Sequence, residues 1–263
     1  MGKKQLSQYF FANKVFLERL AEKIEVPEEA SILEIGPGKG AMTEFLLGRE
    51  RPLTAVEVDP ELVKELEQKF SGNSCFTVVH QDIRRYEFPE DAVRTVVVGN
   101  VPYHISFEII EFVVNNRQRV LSAYFMFQKE FARKLCATPG SKEYGYLSCY
   151  AGLYFDVRYL ATVPKGHFSP RPRVDSAFIE MRVLPEPRVP VDDQTRFLVF
   201  LRRLFTQRRK KILNAVRLDA REEIPSSIIE QAGLDSNLRP EDLTLQQFAD
   251  IYLRCLPFMF ASA

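Results

Sequence analysis

Apolar positions in the first part of the chain follow two alternating rhythms. Short apolar runs at Ser31–Ile35, Leu53–Val56, Cys75–Val79, Thr95–Gly99 and Leu121–Phe127 predict buried strands. Between them, apolar residues at helical spacing predict helices over Ala41–Leu47, Pro60–Phe70, Phe107–Val114 and Lys129–Cys136, after a leading helix over Lys14–Ile24. Strands that alternate with helices imply an α/β fold: a Rossmann-like, mostly parallel sheet with helices on both faces. Tyr144–Tyr154 predicts one more helix. Asp156–Val163 and Ser176–Val183 then predict strands with no clear helix between them, a pair that suits an antiparallel edge.

The rhythm changes at Leu184–Val191, where Pro185, Pro187 and Pro190 predict a linker. Beyond it strand signals vanish. Gln194–Phe205, Arg208–Val216, Ser226–Ala232 and Leu245–Leu253 have helical spacing, so a small all-helical C-terminal domain is expected. The expected division is 1–187 and 188–263. Neither internal repeats nor low-complexity tracts are present.

With 46% apolar and 27% charged residues, the composition is that of a soluble globular protein. No apolar run is long enough for a membrane helix, and Met1–Phe11 lacks the pattern of a signal peptide, so no membrane association is expected. Cys75, Cys136, Cys149 and Cys255 are scattered, which argues against a disulfide framework or a metal site and fits a reducing cytoplasm. The net charge of +1 conceals an asymmetry. Lys165–Arg217 holds 13 Lys and Arg against 5 Asp and Glu, a net of +8. Such a segment fits an anionic partner on one face or, equally, a set of solvated helix surfaces.

Three strand ends carry candidate chemistry. Glu34-Ile35-Gly36-Pro37-Gly38-Lys39-Gly40 follows the first strand; Gly36 and Gly38 allow a sharp turn and close approach of a ligand to the backbone. Glu57 ends the second strand, where a carboxylate can accept bonds from both hydroxyls of a ribose. NAD and S-adenosylmethionine both contain that ribose, so Glu57 does not separate them. Asp82, after the third strand, suits the exocyclic amine of a cofactor adenine, or else a helix cap. Together the three form a nucleoside-binding rim.

Gly99-Asn100-Val101-Pro102-Tyr103 follows the fourth strand and is the most informative stretch. An adenine amine is a poor nucleophile because its lone pair is delocalised into the ring. Two aligned acceptors, the Asn100 side-chain oxygen and the Val101 carbonyl, would favour the tetrahedral form as charge develops. Pro102 confines Val101 to an extended conformation, and Tyr103 offers a flat face for an extruded base. The alternative for these residues is an ordinary strand-to-helix turn.

At this point the chain resembles the bacterial small-subunit rRNA adenine dimethyltransferases over nearly its whole length. Ser7-Gln8-Tyr9-Phe10-Phe11 is similar to the family's Gly-Gln-Asn-Phe-Leu, with Tyr9 in place of asparagine or histidine. Asn100–Tyr103 is similar to its Asn-Leu-Pro-Tyr, and Ser141–Gly145 to its Ser-Lys-x-Tyr-Gly. More specific are the proline-rich signature Val163–Ser176 and the basic stretch Leu204–Lys211. The resemblance implies a methyltransferase sheet using S-adenosyl-L-methionine, with an N-terminal lid segment. It implies cofactor contacts from Tyr9, Phe11, Gly36, Gly38, Glu57, Asp82 and Asn100. Asn100, Val101, Pro102 and Tyr103 would hold the target adenine, with Phe168 on the base's other face. Arg171, Arg173, Arg208, Arg209, Lys210 and Lys211 would meet RNA, the last four from a helix. The implied substrate is a pair of adjacent adenosines in a hairpin near the 3′ end of small-subunit rRNA, within a pre-assembled subunit; a monomer is expected because the substrate is large. The competing readings are a large-subunit rRNA adenine methyltransferase, a non-catalytic ribosome-assembly or transcription factor on the same scaffold, and a NAD oxidoreductase.

Overall fold

The computed structural model describes residues 9–90, 92–217, 225 and 227–259. By internal contacts the chain divides into two units. One comprises the described residues of Met1–Ala132 with Asp156–Val183; the other comprises Arg133–Phe155 with the described residues of Leu184–Ala263. Among the described residues no helix is long and apolar enough to cross a membrane.

The first unit is built on a sheet whose leading strands are β2 (Ser31–Ile35), β3 (Leu53–Glu57), β4 (Phe76–His80), β5 (Thr95–Asn100) and β6 (Val120–Gln128), after a short β1 (Phe10–Phe11). These alternate with α1 (Lys14–Ala21), α2 (Ala41–Leu47), α3 (Pro60–Lys69) and α4 (Ser106–Asn115). After α5 (Lys129–Leu135) and α6 (Tyr146–Gly152) come β7 (Phe155–Val163), β8 (Phe168–Ser169) and β9 (Ser176–Val183). The sheet order is β4-β3-β2-β5-β6-β9-β7. β2, β3, β4, β5 and β6 pair in parallel, and β9 runs antiparallel to β6. The expected strands are thus present to within about a residue at their ends, and the antiparallel addition is real.

Local chemistry explains these elements. Val96, Val97 and Val98 of β5 are all buried, as a strand covered on both faces requires. Asp59 caps α3 by accepting from the Glu61 N–H at 2.9 Å, Pro60 pre-sets the first turn, and Leu62, Val63 and Leu66 form the inner stripe. The order reverses between β2 and β5: the chain builds β3 and β4 on one side and β6 on the other. At that switch point the loops leaving β2 and β5 diverge and open a crevice at the strands' carboxyl ends.

The second unit is helical: α6, α7 (Gln194–Thr206), α8 (Ile212–Arg217), α9 (Ser227–Gln231) and α10 (Leu245–Met259). Phe197 and Phe200 of α7 each lie 5.3 Å from Tyr252 of α10, and Phe205 lies 5.6 Å from Phe248, so aromatic contacts fill this core. Three features differ from the sequence expectations. Residues 133–155 pack with these helices, although the expected boundary put them in the first domain. The proline-rich stretch after Leu184 is no free linker: Leu184 and Arg188 donate backbone bonds to Tyr154 and Leu153 at 2.9 and 2.8 Å, and Val189 and Val191 are buried. Third, Arg208–Lys211 is not helical. These residues form the turn between α7 and α8. The Lys210 N–H closes this turn on the Gln207 carbonyl at 2.8 Å. The first turn of α8 is anchored instead by the Ile212 N–H on the Leu238 carbonyl at 2.7 Å.

Candidate active site

The crevice at the switch point is a cavity of about 270 Å³ within the first unit. Ten sequence-predicted residues line it: Tyr9, Phe11, Gly36, Gly38, Glu57, Asp82, Asn100, Val101, Pro102 and Tyr103. They arrive from the ends of β2, β3, β4 and β5 and from the N-terminal segment, so the four strand-end signals converge because the strands are parallel and adjacent.

The loop after β2 turns through Gly36 and Gly38, at φ +63° and +58°. A β-carbon on Gly38 would stand 3.0 Å from the Phe10 ring. The Gly38 N–H donates to Glu57 Oε2 at 3.2 Å, and Glu57 Oε1 accepts from the Val58 and Asp59 N–H groups at 2.9 and 3.0 Å. Glu57 is 3% exposed. Burial pushes its carboxyl above the ordinary range, and the three backbone donors oppose that. Three of the carboxylate's four lone-pair sites are taken, and Oε2 keeps one for a further hydroxyl.

Asp82 lines the cavity and is also a cap, accepting from the Arg84 N–H at 3.0 Å. The Arg84 guanidinium grips both carboxylate oxygens and holds the carboxyl below its ordinary range, so Asp82 stays ionised.

At the end of β5, a β-carbon on Gly99 would come within 2.9 Å of Val101 Cγ1 and 3.1 Å of the Ile35 carbonyl, so this corner requires glycine. Asn100 donates its side-chain amide to the Tyr9 carbonyl at 3.1 Å, which commits Nδ2 and leaves Oδ1 as the accepting end. The Tyr103 hydroxyl is paired with the Ser176 hydroxyl at 2.7 Å, and burial raises the phenol's pKa. Ser106 holds the Tyr103 carbonyl at 2.9 Å. The Tyr103 ring is thereby fixed at both ends.

The N-terminal segment is tied to the proline-rich signature. β1 pairs antiparallel with β8, placing Phe10 opposite Ser169 and Phe11 opposite Phe168, and the Ala12 N–H reaches the His167 carbonyl at 2.7 Å. Phe11 meets Phe168 edge-on at 4.8 Å, while His167 stacks on Phe16 at 4.2 Å. Ser7 and Gln8 lie outside the described residues.

Phe168 corrects a sequence expectation. It was to present its ring to a base, yet it is 4% exposed, belongs to the core with Val163 and Phe178, and does not line the cavity. Side chains alternate along a strand, so with Ser169 facing solvent Phe168 must face inward.

The cations expected to meet RNA fall into two groups. Arg171 and Arg173 are exposed, and their side chains have no partner among the described residues; so too Arg209 and Lys210. Arg208 is instead a structural residue: its guanidinium binds Glu241 and the Lys142 carbonyl. Lys211 donates to Asn237 Oδ1 at 2.6 Å.

Sequence reasoning passed over two residues. Glu34 lines the cavity at 2% exposure and accepts from the Thr43 hydroxyl at 2.7 Å; burial pushes its carboxyl up to about 7, against that bond and with Glu57 adding to the rise. Its signal was an acid inside an otherwise apolar strand. Ser176 had no signal beyond its place in the signature, because its contact with Tyr103 spans 73 positions. Among the described residues no group of three His, Cys, Asp or Glu side chains is placed to hold a metal.

Residues 1–255 match the family described as ribosomal RNA adenine dimethylase. The chain belongs to that family. It is similar to the ribosomal RNA small subunit methyltransferases A of Geobacter metallireducens, at 36% identity over 94% of this chain and 93% of the relative, and of Syntrophus aciditrophicus, at 34% over 94% and 91%. Among solved structures, the 23S rRNA methyltransferase ErmE is similar at 27% identity with a TM-score of 0.75, over 93% of this chain and 98% of that one. A dimethyladenosine transferase from Plasmodium falciparum shares the fold at a TM-score of 0.79 and 22% identity, over 94% and 97%. As a member of the ribosomal RNA adenine dimethylase family the chain is a methyltransferase, with the Rossmann-like sheet of such enzymes.

Proposed function

We propose that the chain transfers methyl groups from S-adenosyl-L-methionine to the exocyclic amines of two adjacent adenosines in a hairpin near the 3′ end of small-subunit rRNA, acting as a monomer in the cytoplasm on a pre-assembled subunit. The observation that carries this reading is the convergence of the Asn100–Tyr103 corner and the Glu57–Gly38 rim on one cavity.

The cavity suits such a cofactor. Gly36 has nothing within 4 Å of where its β-carbon would be, so a ligand can approach the backbone there. Glu57 would take a ribose hydroxyl on Oε2, the glycine loop would pass the amino-acid portion, and Asp82, ionised and gripped by Arg84, would accept from the adenine amine. When bound, the cofactor supplies a methyl group on a positively charged sulfur. Asn100 Oδ1 and the Val101 carbonyl, which has no hydrogen-bond partner among the described residues, would accept the two hydrogens of the target amine. As positive charge develops on that nitrogen, the two acceptors stabilise it without reorganising. Tyr103 would carry the extruded base on its face. Arg171, Arg173, Arg209 and Lys210 would meet phosphates, which position the RNA without reading its sequence.

The likeness to ErmE favours one competing reading, methylation of large-subunit RNA. Higher identity to relatives named for the small subunit supports the choice made here. Incubation with labelled cofactor and under-methylated small or large subunits, followed by mapping of the modified base, separates them. Label on paired small-subunit adenosines is expected; label on large subunits alone would reject the proposal.

A further inference from the structure

Among the described residues three acids line the cavity. Glu57 and Asp82 have roles toward the cofactor; Glu34 has none. It stands on β2 two residues before Gly36, with Ala55 of β3 and Val98 of β5 beside it in register, and it is buried. Only half of its carboxyl is partnered. Oε2 accepts from the Thr43 hydroxyl, whereas Oε1 has no partner among the described residues and is not sealed from solvent. In a residue this deeply buried, the opening at that oxygen is the cavity itself. The surroundings hold no cation free to balance a negative charge. β3 presents Glu57, a second acid, and β5 presents Val98 and Gly99. α2 presents Thr43, while its Glu44 is turned outward to Lys14 and Lys69. Lys69 of α3 acts on Glu34 least, being engaged with Glu44 at 2.8 Å and the Lys39 carbonyl at 3.0 Å. Burial outweighs the Thr43 bond and Glu57 adds to the effect, so the carboxyl keeps its proton up to about pH 7.

We propose that Glu34 is the counter-charge for the cationic methionine portion of the cofactor, and that its carboxyl releases a proton to solvent as the cofactor binds; this rests on the reading of the cavity as an S-adenosylmethionine site. That portion of the ligand carries an α-ammonium and a sulfonium against one carboxylate, a net positive charge. Without ligand, a protonated Glu34 spares the protein an unpaired buried charge. A cation in the cavity reverses the preference, because it favours the ionised carboxyl by the same free energy with which the ionised carboxyl favours the cation. The cofactor-bound protein then holds one proton fewer than the free protein, and protons compete with the cofactor. Affinity therefore falls as pH drops below about 7, by about tenfold between pH 8 and pH 6.

The test is calorimetric titration of the full-length protein with S-adenosylmethionine in buffers of different ionisation enthalpy, which counts the protons released per cofactor bound. Near pH 6 the wild type should release about one proton, and near pH 8.5 almost none. Glu34→Gln should release none at pH 6, and its affinity should be nearly independent of pH. Thr43→Val removes the bond that favours the ionised carboxyl, so its release should persist to higher pH than in the wild type, a shift that a purely structural role would not produce. This second variant keeps the proposal testable should Glu34→Gln fail to fold. 5′-Methylthioadenosine, which has the nucleoside and neither cation, should release no proton. S-Adenosylhomocysteine keeps the ammonium and lacks the sulfonium charge: release equal to that of S-adenosylmethionine supports the ammonium as the coupled cation, and a smaller release supports the sulfonium. Release that persists in Glu34→Gln, or that appears with methylthioadenosine, overturns the proposal and points to Glu57 beneath the ribose. Wild-type binding with no proton release at pH 6 also overturns it and leaves the cofactor reading standing; no binding of S-adenosylmethionine at any pH overturns both.

Discussion

Replacing Glu34 with glutamine isolates the charge of a carboxyl that folding removes from water. Glu34 is buried beside Glu57, with the Thr43 hydroxyl as its one hydrogen-bond donor among the described residues, and its pKa rises from 4.5 to about 7. Between those two values the unfolded chain has released the proton and the folded protein keeps it. The folded state then binds more protons, so stability falls as pH rises through this window and the loss is complete above about 7. At about 1.4 kcal/mol for each pH unit between the two values, the full cost is about 3 kcal/mol, an order-of-magnitude figure. Glu34→Gln keeps the shape, cannot ionise, and still offers an oxygen to Thr43. Urea unfolding of the cofactor-free protein and the variant should therefore give similar stabilities near pH 5 and a variant more stable by about 2–3 kcal/mol near pH 8. Parallel stability profiles across that range would show that Glu34 is ionised throughout, and that the burial argument is wrong.

Four other outcomes follow from the geometry. Asn100→Ala removes one of the two proposed amine acceptors and should lower kcat by about two to three orders of magnitude with much less effect on cofactor affinity; equal losses in both, by single-turnover assay and calorimetry, would contradict its role. Glu57→Gln turns an N–H donor toward the Gly38 N–H or toward those of Val58 and Asp59, and should weaken S-adenosylmethionine binding by about 1–3 kcal/mol without altering the site of methylation. Arg208→Ala breaks the link to Glu241 and the Lys142 carbonyl and should lower the thermal midpoint, while joint neutralisation of Arg209 and Lys210 should flatten the salt dependence of RNA binding by up to about two phosphates. An unchanged slope in that double variant would remove both residues from the interface.

Much of this was legible from sequence because it is local. The strands of the parallel sheet are largely apolar runs, the helices carry a stripe at helical spacing, and Gly36, Glu57, Asp82 and Asn100 each lie at a strand's end or within two residues of it. Parallel pairing then brings successive strand ends to one edge, so four motifs distant along the chain were bound to share a crevice. The turn at Arg208–Lys211 was misread because periodicity registers apolar spacing and not the distant partners, Glu241 and Asn237, that Arg208 and Lys211 reach. The proline-rich stretch looked like a linker because composition does not reveal the partners its backbone finds in residues 153 and 154.

The amino-acid sequence alone determined the layered sheet, the strand-end rim of Gly36, Glu57 and Asp82, and the Asn-Val-Pro-Tyr corner, since each is written in spacings of a few residues. Tertiary structure alone decided which side chains face the cavity: it sent Phe168 into the core, set Tyr9 opposite Tyr103, buried Glu34 and paired Tyr103 with Ser176. Those outcomes depend on strand register and on contacts between residues far apart in the chain. A register displaced by one residue would reverse every inward and outward assignment, and no local pattern specifies it.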